Sequence, residues 1–339
     1  MKTFRSIASV TLDRWIFVLG IVLAPQAAWA TAWQATAGEQ TTDEGIQALA
    51  FLANELWVHV GDSITWTFPT PEIHTVTFLK QDTSPQQVRP PRPGVPGGGC
   101  PGTTPDGSSF DGSTCLTSPE LVDGQTYTVT FPKAGNFKLV CLVHNNMTGA
   151  VHVLASAEAL PHDQTFYDTQ ARKEQTRLLA DGVGLEGQGI ATAQQSSADA
   201  VTVGIGEIVA TGGGSHTVSV MRFLQDTIVV RVGDTVEWTN LDPVTPHTVT
   251  FGAEPAGPPQ PPSGGVTVDT DGARHAVITS PAASVHSGFL QAAFQDRVPL
   301  PQTPLGITRF RVTFTTPGTF NYICVLHDEL GMVGRVIVH

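Results

Sequence analysis

Residues 46–68 read IQALAFLANELWVHVGDSITWTF, and residues 218–240 read VSVMRFLQDTIVVRVGDTVEWTN. In both stretches apolar and polar residues alternate with period two and break at a Gly-Asp pair, which is typical of short β-strands joined by turns. Trp66 and Trp238 stand at matching positions near the two ends. The sequence therefore predicts the same set of strands twice.

The repeat continues well beyond these two stretches. IHTVTF (residues 73–78) matches PHTVTF (246–251), and YTVTFPKAGNFKLVC (127–141) matches FRVTFTTPGTFNYIC (310–324). Self-similarity over so long a period indicates a duplicated domain rather than a solenoid repeat. Neither copy contains a long helical period, so we expect an all-β protein of two β-sandwich domains.

The first thirty residues differ in kind from the rest of the chain. Basic residues precede an apolar run from Trp15 to Ala24, and Ala28-Trp29-Ala30 fits a small-x-small cleavage site. This layout predicts a secretory signal peptide over residues 1–30, hence a secreted or periplasmic protein. No later apolar run is long enough to cross a bilayer, so we expect no stable membrane insertion after cleavage.

A segment of another composition separates the two copies. Residues 163–179 (DQTFYDTQARKEQTRLL) contain good helix formers, with Gly182 as a stop, and residues 183–200 are rich in Gly, Ala, Gln and Ser. The sequence thus predicts a short helix followed by a flexible connector. The expected boundaries are domain 1 at 31–158, a linker at 159–200 and domain 2 at 201–339.

The four cysteines divide into two kinds. Cys100 and Cys115 lie 15 residues apart in one Gly-, Pro- and Ser-rich loop, and an exported chain permits disulfides, so we expect these two to be bridged. Cys141 and Cys324 follow apolar, strand-like segments far apart in the sequence. These two thiols therefore need another explanation.

The explanation lies in the residues that follow each thiol. Residues 141–147 read CLVHNNM and residues 324–332 read CVLHDELGM, so a thiol, an imidazole and a thioether share one short loop in each domain. Each domain also has one upstream histidine at a matching place, His74 or His247. A thiolate, two imidazoles and a weak axial thioether form a blue-copper electron-transfer site, whereas structural zinc favours paired cysteines.

On these motifs the sequence resembles the plastocyanin/azurin family of cupredoxins over about residues 45–155 and 202–339. The C-x2-H-x4-M loop of domain 2 is similar to that of plastocyanin, and the C-x2-H-x2-M loop of domain 1 to that of amicyanin. The resemblance implies two Greek-key cupredoxin sandwiches joined by a short helical linker, with one copper in each. The implied ligands are His74, Cys141, His144 and Met147 in domain 1, and His247, Cys324, His327 and Met332 in domain 2.

The resemblance has one departure. Many members of the family have an asparagine directly after the first histidine ligand, where it ties the two ligand loops together. Here Thr75 and Thr248 stand at that place, and their hydroxyls could make a similar bond. The other histidines show no paired spacing and are interpreted as surface or loop residues: His59, His152, His162, His216, His275, His286 and His339.

The composition and the motifs favour an electron carrier with two coppers, working with a redox protein such as a cytochrome. The formal net charge of −12 argues against nucleic-acid binding. One alternative is an enzyme of the multicopper oxidase or nitrite reductase type. Such enzymes need further copper sites between domains, typically from His-x-His pairs and a His-Cys-His run, and this sequence contains neither motif. A second alternative is copper storage or delivery. Because the two ligand loops differ in length, we expect two distinguishable redox potentials.

Overall fold

The structure is a computed structural model that describes residues 30–81, 100, 102–144, 146–195, 199–256, 261–291 and 306–339. The predicted signal peptide lies outside the described residues except for Ala30. Among the residues that are described, no helix combines the length and apolarity that crossing a membrane requires. Cys100 and Cys115 form a disulfide, with their Cα atoms 5.3 Å apart.

Domain 1 is a sandwich of two β-sheets. One sheet has the order β2-β1-β4-β8-β6, and the other has the order β3-β10-β9-β5-β7. The strands are β1 (Ala32–Gln40), β2 (Ile46–Leu52), β3 (Glu55–His59), β4 (Ser63–Thr67), β5 (Thr77–Phe78), β6 (Ser108–Ser109), β7 (Leu116–Thr117), β8 (Thr126–Thr130), β9 (Gly135–Val140) and β10 (Thr148–Leu154).

Domain 2 repeats this arrangement. Its sheets have the orders β12-β11-β14-β19-β17-β16 and β13-β21-β20-β15-β18. The parallel pair β1–β4 has its counterpart in β11–β14, and the pair β3–β10 in β13–β21. The strands are β11 (Ala200–Ala210), β12 (Ser215–Leu224), β13 (Thr227–Val230), β14 (Thr235–Leu241), β15 (Thr250–Phe251), β16 (Thr267–Val268), β17 (Arg274–Ile278), β18 (Val285–His286), β19 (Arg309–Phe314), β20 (Gly318–Ile323) and β21 (Val333–Val338).

Each sandwich closes on an aromatic core. Trp66 and Trp238 are fully buried, and each contacts the phenylalanine of the matching HTVTF motif, Phe78 or Phe251, with ring centroids 5.7 and 5.6 Å apart. Replacing a buried aromatic side chain of this size with alanine typically costs about 3–5 kcal/mol. The duplicated sequence thus builds two equivalent cores, and the predicted two-sandwich fold is confirmed.

The two domains share a continuous β-sheet because β2 pairs with β12 in antiparallel fashion. These strands are counterparts in the repeat, and Gln47 lies opposite its own counterpart, Ser219. On either side, Ile46 pairs with Val220 and Ala48 with Val218. The strands therefore meet about a local two-fold axis, and the domains face each other symmetrically.

A single helix, α1 (Gln164–Gln195), covers this seam. Its Leu178 is fully buried among apolar residues from both β2 and β12, including Ile46, Val218 and Val220. The seam therefore has a small apolar core of its own, which neither domain supplies alone.

The prediction of a short helix ending at Gly182 was wrong, since α1 is 32 residues long and ends at Gln195. Gly182 is buried, and a Cβ atom there would collide with the methyl groups of Ile46 and Val218. Gly189 has the same role against Leu224. These glycines let the helix approach the sheet closely, so the supposed flexible connector is largely helical.

Candidate metal centres

The domain 1 centre brings together His74, Cys141 and His144, all buried. His74 is fixed by two backbone hydrogen bonds to Leu121, of 3.0 and 2.9 Å, while Cys141 follows directly after β9. The Nδ1 atoms of the two histidines lie 3.1 Å apart, and the Cys141 Sγ lies 3.8 Å from His144 Nδ1. One thiol and two imidazole nitrogens thus converge on a single point.

The domain 2 centre has the same geometry. His247, Cys324 and His327 are buried, and their ligand atoms lie within 4.8 Å of one another. The two Nδ1 atoms are 3.1 Å apart, and the Cys324 Sγ lies 3.8 Å from His247 Nδ1 and 3.4 Å from His327 Nδ1. In both centres the convergent nitrogen is therefore Nδ1.

The two methionines lie next to these centres. Met147 and Met332 are fully buried, and each carbonyl accepts a hydrogen bond from the amide of the loop's cysteine, at 3.0 Å in domain 1 and 3.1 Å in domain 2. The residue before each methionine has positive φ, 64° at Asn146 and 85° at Gly331. Asparagine and glycine tolerate this conformation best, so both loops turn back in the same way.

Two glycines that the sequence analysis missed seat the upstream histidines. Gly38 and Gly204 have positive φ, 82° and 65°, at the bulges of β1 and β11. A Cβ atom at either position would collide with Nε2 of His74 or His247. Neither Nε2 has a hydrogen-bond partner among the described residues. The Nε2 edge of each ring packs against the backbone of its glycine, and Nδ1 faces the other histidine of the centre.

The threonines that follow these histidines tie the ligand loops together. The Thr75 hydroxyl accepts a 2.8 Å hydrogen bond from the amide of Leu142, and the Thr248 hydroxyl accepts a 2.9 Å bond from Val325. The amide of Thr248 also points at the Cys324 Sγ, 3.3 Å away. Threonine thus makes the tie that the resemblance assigns to asparagine, and the expected hydroxyl bond is confirmed.

The electrostatics of both centres favour thiolates. Burial would raise the pKa of Cys141, but hydrogen bonds and positive charge from His144 and His74 hold it well below its usual value. Burial would likewise raise the pKa of Cys324, but His327 and His247 hold it well below that value. A thiolate is the form that binds a soft metal, so these contacts favour metal binding.

The expectation that the remaining histidines lie in surface or loop positions was wrong for two of them. His216 is fully buried beneath α1, with Glu174 Oε1 3.6 Å from its Nε2. His286 is buried as well, and its Nδ1 lies 2.8 Å from the Thr250 hydroxyl. Their burial was not apparent from the sequence, because His216 is covered by α1 and His286 lies against β15, contacts that form only on folding.

A family model described as copper binding proteins, plastocyanin/azurin family, matches this chain twice, over residues 38–154 and 209–339. The chain belongs to the plastocyanin/azurin family of copper-binding proteins. It is thus a tandem cupredoxin, with one domain for each match. Its two His/Cys/His groups, one in each domain, fit two copper ions.

Individual relatives resemble single domains of this tandem cupredoxin. A plastocyanin from Synechococcus sp. (strain JA-2-3B'a(2-13)) is 28% identical over 113 residues, which are 33% of this chain and 60% of that plastocyanin. The chain therefore spans less than two thirds of that relative's length. Among solved structures, oxidised plastocyanin from Dryopteris crassirhizoma is 23% identical with a TM-score of 0.21, covering 41% of this chain and 99% of its own. Amicyanin from Paracoccus versutus is 18% identical with a TM-score of 0.22, covering 38% and 83%.

Proposed function

We propose that the protein is an exported electron carrier with one type 1 copper in each domain. The observation that supports this most directly is the pair of buried clusters of two histidines and one cysteine. Met147 and Met332 would complete the two ligand sets, since each is buried and its backbone is hydrogen-bonded to the cysteine of its loop. Copper bound there would supply one-electron redox chemistry.

The residues of the chain would make that chemistry fast by holding the ligands still. The imidazoles rest on Gly38 and Gly204, and the loops are tied by Thr75 and Thr248. Such packing leaves the ligand atoms little freedom to rearrange when the charge at the centre changes. A small rearrangement favours electron transfer over substrate binding, because four protein ligands leave no open position for a substrate.

The predicted signal peptide supports export to a secreted or periplasmic location, where a disulfide between Cys100 and Cys115 is stable. We propose a second redox protein, such as a cytochrome, as the partner. A net charge of −12 favours a partner whose docking surface is basic.

The test is the colour and copper content of the mature protein. We expect two coppers per chain, with about half of the intense blue absorption lost in Cys141→Ser, about half lost in Cys324→Ser, and all of it lost in the double variant. Cys→Ser keeps the size of the side chain while removing the thiolate.

Full colour in either single variant would refute one site for each domain. Three or more coppers per chain would favour the multicopper enzyme instead. Rapid loss of copper to a competing chelator or a partner would favour storage or delivery.

A further inference from the structure

One carboxylate lies between the two centres. Glu72 belongs to domain 1 and is only 8% exposed. Its Oε1 lies 3.0 Å from Nε2 of His144, and its Oε2 lies 3.8 Å from Nε2 of His327 in domain 2. Both histidines turn Nδ1 toward their own centre. A single side chain therefore contacts the outer edge of one proposed ligand from each domain.

A carboxylate suits this contact, because each of its two oxygens can accept a hydrogen bond. Glu72 is buried, and its two oxygens face one histidine from each domain. A histidine that binds metal through Nδ1 carries its proton on Nε2, and the partner of that N–H fixes the ring. Glu72 thus holds His144 by a hydrogen bond, and its other oxygen faces Nε2 of His327 at 3.8 Å.

The arrangement is built into the joint between the domains. The two-fold pairing of β2 with β12 sets counterpart residues opposite each other, and His144 and His327 are counterparts. Arg222 reinforces the joint, because its guanidinium donates to the carbonyls of Asp43 in domain 1 and of Leu330 in the domain 2 ligand loop. Both outer imidazole edges are buried there, with His144 and His327 each 3% exposed.

We propose that Glu72 joins the two centres into one redox unit, across which an electron is exchanged directly between the domains. This inference rests on the proposed function. With copper held by both His/Cys/His groups, one electron would pass from the reduced group of one domain to the oxidised group of the other, so that one copper would be oxidised as the other is reduced and no bond would form or break. An external one-electron redox protein supplies the first electron.

The contact itself is tested on metal-free protein. In Glu72→Gln we expect the imidazole NMR signals of both His144 and His327 to shift, because the negative charge is lost and one of the two accepting oxygens becomes a donating NH2 group. Glu55→Gln is the matched control, since Glu55 Oε1 lies 3.1 Å from Nε2 of His152, a histidine outside both centres. A shift at His144 alone would refute the link to domain 2. This readout does not depend on copper.

The exchange is tested by rapid reduction of the copper-loaded protein with less than one equivalent of a small photochemical reductant. We expect a redistribution phase between the two centres whose rate is independent of protein concentration. In Glu72→Gln and Glu72→Ala this phase should slow by about tenfold or more relative to the wild type. Glu55→Gln should match the wild type.

The absence of such a phase in the wild type, or an unchanged rate in both Glu72 variants, would overturn the proposal. Failure of the proposed function looks different, because the wild type would then lack two coppers or the blue absorption. The metal-free spectra would still report whether Glu72 contacts both histidines.

Discussion

At Gly204, a hydrogen in place of a methyl group makes room for the ring of His247. The backbone there has φ of 65°, and a Cβ atom would overlap the imidazole. Gly38 has the same relation to His74 in domain 1. The metal centres therefore depend on the absence of a Cβ atom at Gly38 and Gly204 as well as on the side chains that could bind the metal.

This dependence predicts a local effect of Gly204→Ala. The added methyl group should push His247 away from the other ligands, so we expect the copper affinity of domain 2 to fall by about tenfold or more, a loss of at least 1.4 kcal/mol. Domain 1 should keep its copper and its colour. The measurement is a copper titration followed by visible absorption.

The control for that substitution is Gly233→Ala. Gly233 also has positive φ, 96°, but has open space around its Cβ position. It therefore reproduces the backbone strain, of about 1 kcal/mol, without touching a ligand. Equal losses of copper in both variants would show that strain alone, rather than the collision with His247, weakens the site.

The convergence of Cys141 and His144 could be predicted from sequence because both lie within one short loop, where the spacing determines the geometry. Gly38 and Glu72 could not, because each reaches its histidine through tertiary packing. An ungapped comparison of the two repeats would also fail to match Gly38 with Gly204. They are 166 residues apart, as the pairing of β1 with β4 and of β11 with β14 shows, whereas the tryptophans are 172 apart.

In α1, helix propensity and packing against the sheet have opposite effects at Gly182. Glycine inside a helix costs up to about 1 kcal/mol relative to alanine, which is why Gly182 was predicted to end the helix. Its hydrogen, however, allows α1 to lie close against Ile46 and Val218. Packing against the sheet outweighs helix propensity here, and only the folded structure reveals that contact.

We therefore expect opposite effects from two alanine substitutions in α1. Gly182→Ala should lower the free energy of unfolding by about 1–3 kcal/mol, because the methyl group overpacks the seam. Gly184→Ala should raise it by up to about 1 kcal/mol, since Gly184 is exposed and its Cβ would meet nothing within 4 Å. Denaturant unfolding measures both. Stabilisation by Gly182→Ala would contradict the close packing of α1.

The seam makes the stability of each domain depend on the other. Ile46, Leu178 and Val218 form one apolar cluster drawn from domain 1, the helix and domain 2. Apolar surface buried in this way favours the joined state in proportion to its area. The two sandwiches therefore share part of their stability, although each has its own aromatic core.

Shared stability predicts a single cooperative unfolding transition for the metal-free protein, with equal calorimetric and van't Hoff enthalpies. Val218→Asp should separate it into two transitions and destabilise the protein by about 3 kcal/mol or more, because a charge would be buried in the seam. Val229→Asp is the control, since Val229 is 52% exposed and should change stability by about 0.5 kcal/mol or less. Two transitions in the unaltered protein would contradict the coupling.

The two-fold pairing of β2 with β12 is the arrangement expected if two separate copies of one ancestral domain had once formed a homodimer. In a homodimer every residue near the axis meets its own copy, so a glutamate at position 72 would face a second glutamate. Two buried carboxylates so close together resist ionising together. In this chain the counterpart of Glu72 is Thr245, hydrogen-bonded to Ser219 at 3.0 Å. A single chain is free of that symmetry, so the two sides of the axis can differ and one negative charge can lie between both histidines.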